Sequence, residues 1–333
     1  MTSLPTPAPR TASDPHRGSS QQPRLLIAHD GSDGAAAALE RAASLFPGAH
    51  ATIVHAARHI SDWRVGPYVW VLDEAAYAKE LVKAAHARLD AAVEIARARG
   101  LDAVGVLRTD GGRTWHELLD TAVEERADLI VVGKEADGRF AGHRLGSVAQ
   151  ALAAHGTIPT LVVRPGSEPP AVASAGDTMV AIAYDGTPGA VRAIEATAQL
   201  FPGARIVIAS VWEPLPAWML GPMALSPGFR EDFEQELSNA TIVCAEEGVR
   251  RARALGLDAE PVAAMAAHGT WRELVRIAAD RHVSVLGVGA RSRGLIASTV
   301  LGSVAHSVVA EAPMAVLVAP PLPASDATGG ARG

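Results

Sequence analysis

Two kinds of short segment in this chain have residue types that could do chemistry, and each kind occurs twice. Asp30-Gly31-Ser32 and Asp185-Gly186-Thr187 each end an apolar run. Gly133 leads through Ala136 to Gly146-Ser147-Val148, and Gly289 leads through Ser292 to Gly302-Ser303-Val304. The chemistry on offer is anion binding. A glycine at a strand end lets the backbone come close to a ligand. A Gly-Ser pair opening a helix presents free N–H groups, a hydroxyl and the positive end of the helix dipole. An Asp beside such a pair accepts hydrogen bonds from a ribose or a base edge. Taken singly, Asp30, Ser32, Ser147 and Ser303 are ordinary turn formers and helix caps. Their pairing and their recurrence argue for a site.

Other chemistries find less support. Of the 12 His residues none sits in a His-Glu-x-x-His motif. His55 and His59 are four apart, but their segment begins as a strand, where that spacing builds no helical metal face. His29 and His55 are read as filling space near the crevice. The single cysteine, Cys244, excludes an intramolecular disulfide and follows Thr241-Ile242-Val243 as a packed helical thiol. No Gly-x4-Gly-Lys-[Ser/Thr] loop is present, and no nucleophile is paired with a recognisable base. No catalytic residue and no metal ligand is therefore assigned.

These segments need a frame, and the frame is duplicated. Leu25 to Ser32 recurs as Val180 to Thr187, and Phe46-Pro47-Gly48-Ala49 as Phe201-Pro202-Gly203-Ala204. Thr114-Trp115 recurs as Thr270-Trp271, and Leu145-Gly146-Ser147-Val148-Ala149 as Leu301-Gly302-Ser303-Val304-Ala305. The offset is 155 or 156 throughout, too long for a solenoid unit. The 333 residues thus divide into two domains, 24–166 and 178–320, with a linker at 167–177. The ends, 1–23 and 321–333, read as disordered tails. Within a copy, short apolar runs alternate with helical patterns: Leu25–His29, Ala35–Phe46, Ala51–Ala57, Asp73–Arg99, Ala103–Leu107, Trp115–Arg126, Leu129–Val132, a short helix from Ser147, and Thr160–Val163. That alternation predicts a parallel sheet covered on both faces. Trp115 and Trp271, at helix starts, are expected to pack in the cores. The loops at 58–72 and 212–228 carry Trp, Pro or Met and could cover the crevice or meet a partner.

Composition narrows the partners. Apolar residues are 48% of the chain but aromatics only 4%, so Val, Leu, Ile and Ala must fill the cores. A net charge of −6 gives no footprint for nucleic acid. No apolar stretch reaches membrane-spanning length, so no membrane partner is expected. The lone cysteine suits a reducing cytoplasm.

The glycine segments resemble the universal stress protein signature G-x2-G-x9-G-[ST], with Gly133, Ala136, Gly146-Ser147 in one copy and Gly289, Ser292, Gly302-Ser303 in the other. The Asp-Gly-Ser turn and the ending Leu161-Val162-Val163-Arg164 are similar to that family too. The resemblance covers about residues 24–165 and 178–319. It implies an α/β fold of two tandem, doubly wound, Rossmann-like domains, each a five-stranded parallel sheet in the order 3-2-1-4-5. Adenine would lie near the strand-one Asp and the end of strand two, with phosphates in the glycine loop. Carried over by position, ATP (with Mg2+ as its counter-ion) would meet Asp30, Ala56, Val132, Gly133, Ala136, Gly146, Ser147 and Val148 in the first copy. In the second copy it would meet Asp185, Val211, Val288, Gly289, Ser292, Gly302, Ser303 and Val304. The departure is Ala136 and Ser292, where the signature has glycine. If that position needs a positive φ, a side chain there costs roughly 1 kcal/mol.

The expected protein is a cytoplasmic stress-response regulator whose adenine nucleotide alters its contacts with a protein partner. A ligand-free dimerising scaffold and a slow ATPase are the alternatives. The last strands, Thr160–Val163 and Ala315–Val318, should pair edge to edge and make a pseudo-dimer within the chain; whole chains could also form a homodimer. The second copy should bind ATP more tightly. Its loop carries Arg291 and Arg293 with no acid, whereas Lys134, Arg139 and Arg144 are offset by Glu135 and Asp137 in the first.

Overall fold

The computed structural model describes residues 22–56, 74–109, 112–134, 146–166, 178–214, 216, 228–290 and 301–320, with no side-chain detail for 74–78. In the first copy the elements are β1 (Leu25–Ala28), α1 (Asp33–Leu45), β2 (His50–Ala56), α2 (Glu74–Ala98), β3 (Asp102–Arg108), α3 (Thr114–Glu124), β4 (Leu129–Gly133), α4 (Ser147–His155) and β5 (Thr160–Val163). The second copy repeats them as β6 (Met179–Ala183), α5 (Pro188–Leu200), β7 (Arg205–Trp212), α6 (Phe229–Ala254), β8 (Asp258–Met265), α7 (Thr270–Asp280), β9 (Val285–Gly289), α8 (Ser303–Glu311) and β10 (Ala315–Ala319).

Local sequence explains the starts and stops. α1 begins where the Ser32 hydroxyl accepts a hydrogen bond from the Ala35 N–H, at 3.2 Å. α5 begins where Thr187 does the same for Ala190, at 3.3 Å, with Pro188 in its first turn. Capping oxygens of this kind satisfy donors the helix leaves orphaned. Both helices then stop at Phe-Pro-Gly, with Gly48 and Gly203 at φ of 79° and 83°, a region open to glycine. The central strands are apolar throughout because both their faces are covered. Along β1, Leu25 and Ile27 join one core cluster and Leu26 the other, as a two-residue period requires.

The ten strands form one sheet in the order β3-β2-β1-β4-β5-β10-β9-β6-β7-β8. Each copy therefore has the order 3-2-1-4-5. All neighbours are parallel except β5 and β10, which pair antiparallel with Leu161 opposite Leu317 and Val162 opposite Val316. Leu161 and Leu317 are equivalent residues, so a pseudo-twofold axis passes between them. Each apolar cluster draws on both copies, with Leu161 and Val163 joining Ala315, Leu317 and Ala319 in one of them. The Phe46 and Phe201 rings, 5.0 Å apart, close the same junction from the helix layer. Among the described residues no helix is long and apolar enough to cross a membrane.

Candidate functional site

The strand order reverses between β6 and β9 in the second copy, since β6 has β9 on one side and β7 on the other. A crevice must open there at the carboxyl ends of the strands. It is a cleft of about 580 Å³, measured to its open mouth. Asp185, Val211, Val288, Gly289, Gly302 and Val304 line it together with Tyr184, Thr187, Thr270, Leu274 and the small Ala183, Ala190, Ala209 and Ala305. The mixture of apolar wall and few polar groups is that of a small-molecule site.

The polar rim is tightly determined. Gly186 turns the chain at φ 75°. The Asp185 carboxylate accepts from the Thr187 N–H at 3.0 Å and the Thr187 hydroxyl at 2.5 Å. On the far side Gly302 returns to the sheet, its N–H donating to the Ala290 carbonyl at 3.1 Å. Gly302 then opens α8 with no side-chain cap. The first amides of α8 are thus left for a ligand or water.

The glycines that end β4 and β9 have a different cause from the one expected. A Cβ on Gly289 would lie 2.4 Å from the backbone carbon of Gly189, and one on Gly133 would lie 2.1 Å from that of Gly34. These glycines are required because the first turns of α5 and α1 press on them. Close approach of a ligand is not what excludes the side chain. Gly289 still borders the cleft.

The first copy repeats the frame. Asp30 accepts from the Ser32 N–H at 2.9 Å, and Gly31 sits at φ 88°. Burial pushes the Asp30 carboxyl up. The Ser32 hydrogen bonds and the charge of His29 outweigh that and hold it below its ordinary value. At the position before that Asp the copies differ, His29 in the first and Tyr184 in the second. The His55 Nδ1 donates to the His29 backbone carbonyl oxygen at 2.7 Å. In the second copy Ser210 donates to the equivalent Tyr184 carbonyl at 2.8 Å. Burial lowers the His29 pKa, Asp30 opposes this and His55 adds to it.

Ala56, Val132, Gly146 and Val148 occupy the first-copy positions that match the second-copy wall residues Val211, Val288, Gly302 and Val304, and Ser147 matches Ser303. Ser147 and Ser303 are exposed first residues of their helices, and Ser303 is not part of the cleft lining although Val304 is. Ala136 and Ser292 lie outside the described residues, as do Arg139, Arg144, Arg291, Arg293 and most of the loops at 58–72 and 212–228. Lys134 does not serve a phosphate loop. It is 2% exposed and its ammonium donates to the Ala310 carbonyl of the other copy. The expected charge comparison of the two loops therefore loses one cation on the first-copy side.

Thr270 is a wall residue that sequence reasoning missed. Its N–H and hydroxyl both donate to Glu213, at 2.7 and 2.6 Å, and these bonds lower the Glu213 pKa. The recurring Thr-Trp pair was the available signal. Trp115 and Trp271 are half-buried against one core cluster; Trp115 stacks with His155, and Arg272 lies 4.5 Å over the Trp271 ring. Among the described residues no group of three or more His, Cys, Asp or Glu converges to hold a metal.

The comparisons with known proteins bear on this geometry directly. The model of the universal stress protein family matches residues 23–164 and again 179–320. The chain belongs to the universal stress protein family. A universal stress protein of Thermus aquaticus, encoded 3′ of a sulfhydrylase, is 34% identical over 146 residues, which is 42% of this chain and 97% of that protein. A universal stress protein of Archaeoglobus fulgidus superposes with a TM-score of 0.63 at 18% identity, over 90% of this chain and 97% of its own. A functionally unknown protein of Pseudomonas aeruginosa gives 0.51 at 14% identity, over 90% and 93%. At these identities the two structures share the fold with this tandem universal stress protein.

Proposed function

We propose that the second-copy cleft binds an adenine nucleotide, ATP, and that the chain is a cytoplasmic stress-response regulator whose occupancy changes its contacts with a protein partner. The observation that carries the reading is convergence: Asp185, Val211, Val288, Gly289, Gly302 and Val304, from four separate segments, meet on one cleft. Val211 and Val288 offer an apolar bed for a purine. Asp185, held by its bonds to Thr187, would accept from a base edge or ribose. The uncapped start of α8 suits a phosphate, which its amides and dipole would hold. Mg2+ would enter on the nucleotide, using phosphate and water oxygens. The bound state must differ in partner affinity from the free state for occupancy to regulate anything.

The test is titration calorimetry of the full chain with ATP, alongside mass spectrometry of small molecules released from the purified protein. Asp185→Ala should weaken binding by about 1–3 kcal/mol, the range for a lost hydrogen bond to a charged group. Binding equal to wild type would place the site wrongly. A ligand-free scaffold is the second reading, favoured by Ala136 and Ser292 standing where the family signature has glycine. Absence of nucleotide and of ATP binding would establish it over the first.

A further inference from the structure

The two copies are not symmetric where they grip one another. Lys134 directly follows β4 of the first copy, and its buried ammonium donates to the carbonyl of Ala310, in the last turn of α8. Arg164, just past β5 of the first copy, donates to the carbonyl of Glu311, the last residue of α8, at 3.4 Å. Both cations therefore serve the carboxyl end of one helix in the other copy. That end carries orphan carbonyls and the negative pole of the dipole. α8 has no basic residue of its own in its last turn, whereas α4 carries His155 there.

No reciprocal grip exists at the matching positions. Backbone bonds fix the equivalence: Lys134 donates to Val163, and Ala290 donates to Ala319. The second-copy counterparts of Lys134 and Arg164 are thus Ala290 and Pro320, which have no side-chain donor. A buried ammonium carries a large desolvation cost and holds its place only where its hydrogen bonds are kept. Lys134 is accordingly fixed at one spacing from α8.

α8 is nine residues long, so its two ends are about 13 Å apart. Its amino end is Gly302-Ser303-Val304, and Gly302, Val304 and Ala305 form a wall of the second-copy cleft. We propose that the first copy acts on the second through this helix: Lys134, supported by Arg164, is a positioning residue that holds α8 where its amino end completes the nucleotide cleft. This rests on the reading that the cleft takes ATP. It goes beyond that reading by giving the first copy a task that needs no ligand of its own.

The experiment uses the full chain in an Asp30→Ala background, so that only the second-copy cleft is read. Lys134→Met keeps the apolar stem and removes the charge; Lys134→Arg restores a cation. ATP affinity by calorimetry should fall about tenfold in Lys134→Met and recover in Lys134→Arg, the size of an ordinary coupling between sites. Hydrogen exchange in the segment 303–311 should quicken in Lys134→Met while the segment 147–155 stays as it was. If Lys134→Met does not fold, Arg164→Ala takes its place with the same expectations. Quickened exchange in α8 with unchanged ATP affinity would overturn the proposal. If the Lys134-intact chain binds no ATP, the nucleotide reading has failed on its own. The grip is then decided by exchange alone: loss of α8 protection supports it and unchanged protection overturns it.

Discussion

Gly287 and Gly289 lie two residues apart on β9, and the structure assigns them opposite sensitivities. A Cβ on Gly289 would meet the carbon, oxygen and Cα of Gly189 at 2.4, 2.6 and 2.8 Å. Ordinary contacts begin near 3.4 Å, so α5 would have to retreat by about 1 Å. The obstacle is backbone, which has no rotamer to change. Gly289→Ala should therefore cost about 3 kcal/mol, the upper part of the usual range for overpacking. A Cβ on Gly287 would meet nothing nearer than 3.5 Å. Gly287→Ala should be neutral or stabilise by up to about 1 kcal/mol, because the unfolded chain loses freedom. Urea unfolding of the full chain reads both. At a slope of about 3 kcal/mol per M, Gly289→Ala should lower the midpoint by about 1 M, while Gly287→Ala leaves it or raises it. The displaced turn carries Thr187 and Asp185, so Gly289→Ala should also weaken ATP binding. A Gly289→Ala midpoint equal to wild type, or a Gly287→Ala variant that is the less stable of the two, would refute the packing argument.

Three further outcomes follow from other parts of the molecule. His29 has a depressed pKa in the folded chain, so its contribution to stability is present above its ordinary value of 6.5 and is lost as pH falls from there toward the folded pKa. The unfolding free energy from urea titrations should drop over that window by no more than about 1.4 kcal/mol per pH unit, and the drop should flatten in His29→Asn. Proline at both Val162 and Leu317 should split the sheet at its antiparallel junction, because each removes a ladder donor and misfits a central strand; an unchanged hydrodynamic radius with unchanged unfolding cooperativity would show that the helix layer alone holds the copies together. Asp185→Ala should lose more ATP affinity than Asp30→Ala, since the second cleft has Val211 where the first has Ala56 and the first has committed Lys134 elsewhere; the reverse order in calorimetry would make the first copy the main site.

The fold was legible because its signals are local. Short apolar runs ended by Asp-Gly or Gly could only be buried strands, and Ser32 and Thr187 stood where helix caps belong. The duplication then supplied every element twice. What escaped was set by contacts between distant segments. Gly133 and Gly289 sit at strand ends beside the crevice, where a local rule assigns them to the ligand; Gly34 and Gly189, which exclude their side chains, are about a hundred residues away in sequence. Thr270 belongs to a conspicuous repeat, but its place in the wall is set by Glu213, 57 residues away in sequence. Lys134 beside a glycine reads as a phosphate partner until the other copy is folded against it. The one sequence hint was that its counterpart is Ala290, a change no shared binding role would explain.

That change also shows what tandem duplication permits. In a homodimer of single domains, each subunit must present the same residue at both ends of the twofold interface. A buried lysine on one side would then be a buried lysine on the other, and two desolvation costs would be met at one junction. Within one chain the two positions diverge freely. The junction here keeps its symmetric part, with Leu161 opposite Leu317 and Phe46 beside Phe201, in apolar residues that tolerate symmetry. Its asymmetric part is polar and points one way, from Lys134 and Arg164 to α8. The helix so held is the one whose other end borders the cleft lined by Asp185 and Val211. A copy whose task at the junction needs no ligand of its own can serve as the fixed support of the other, and the single polar grip from Lys134 and Arg164 gives that support its direction.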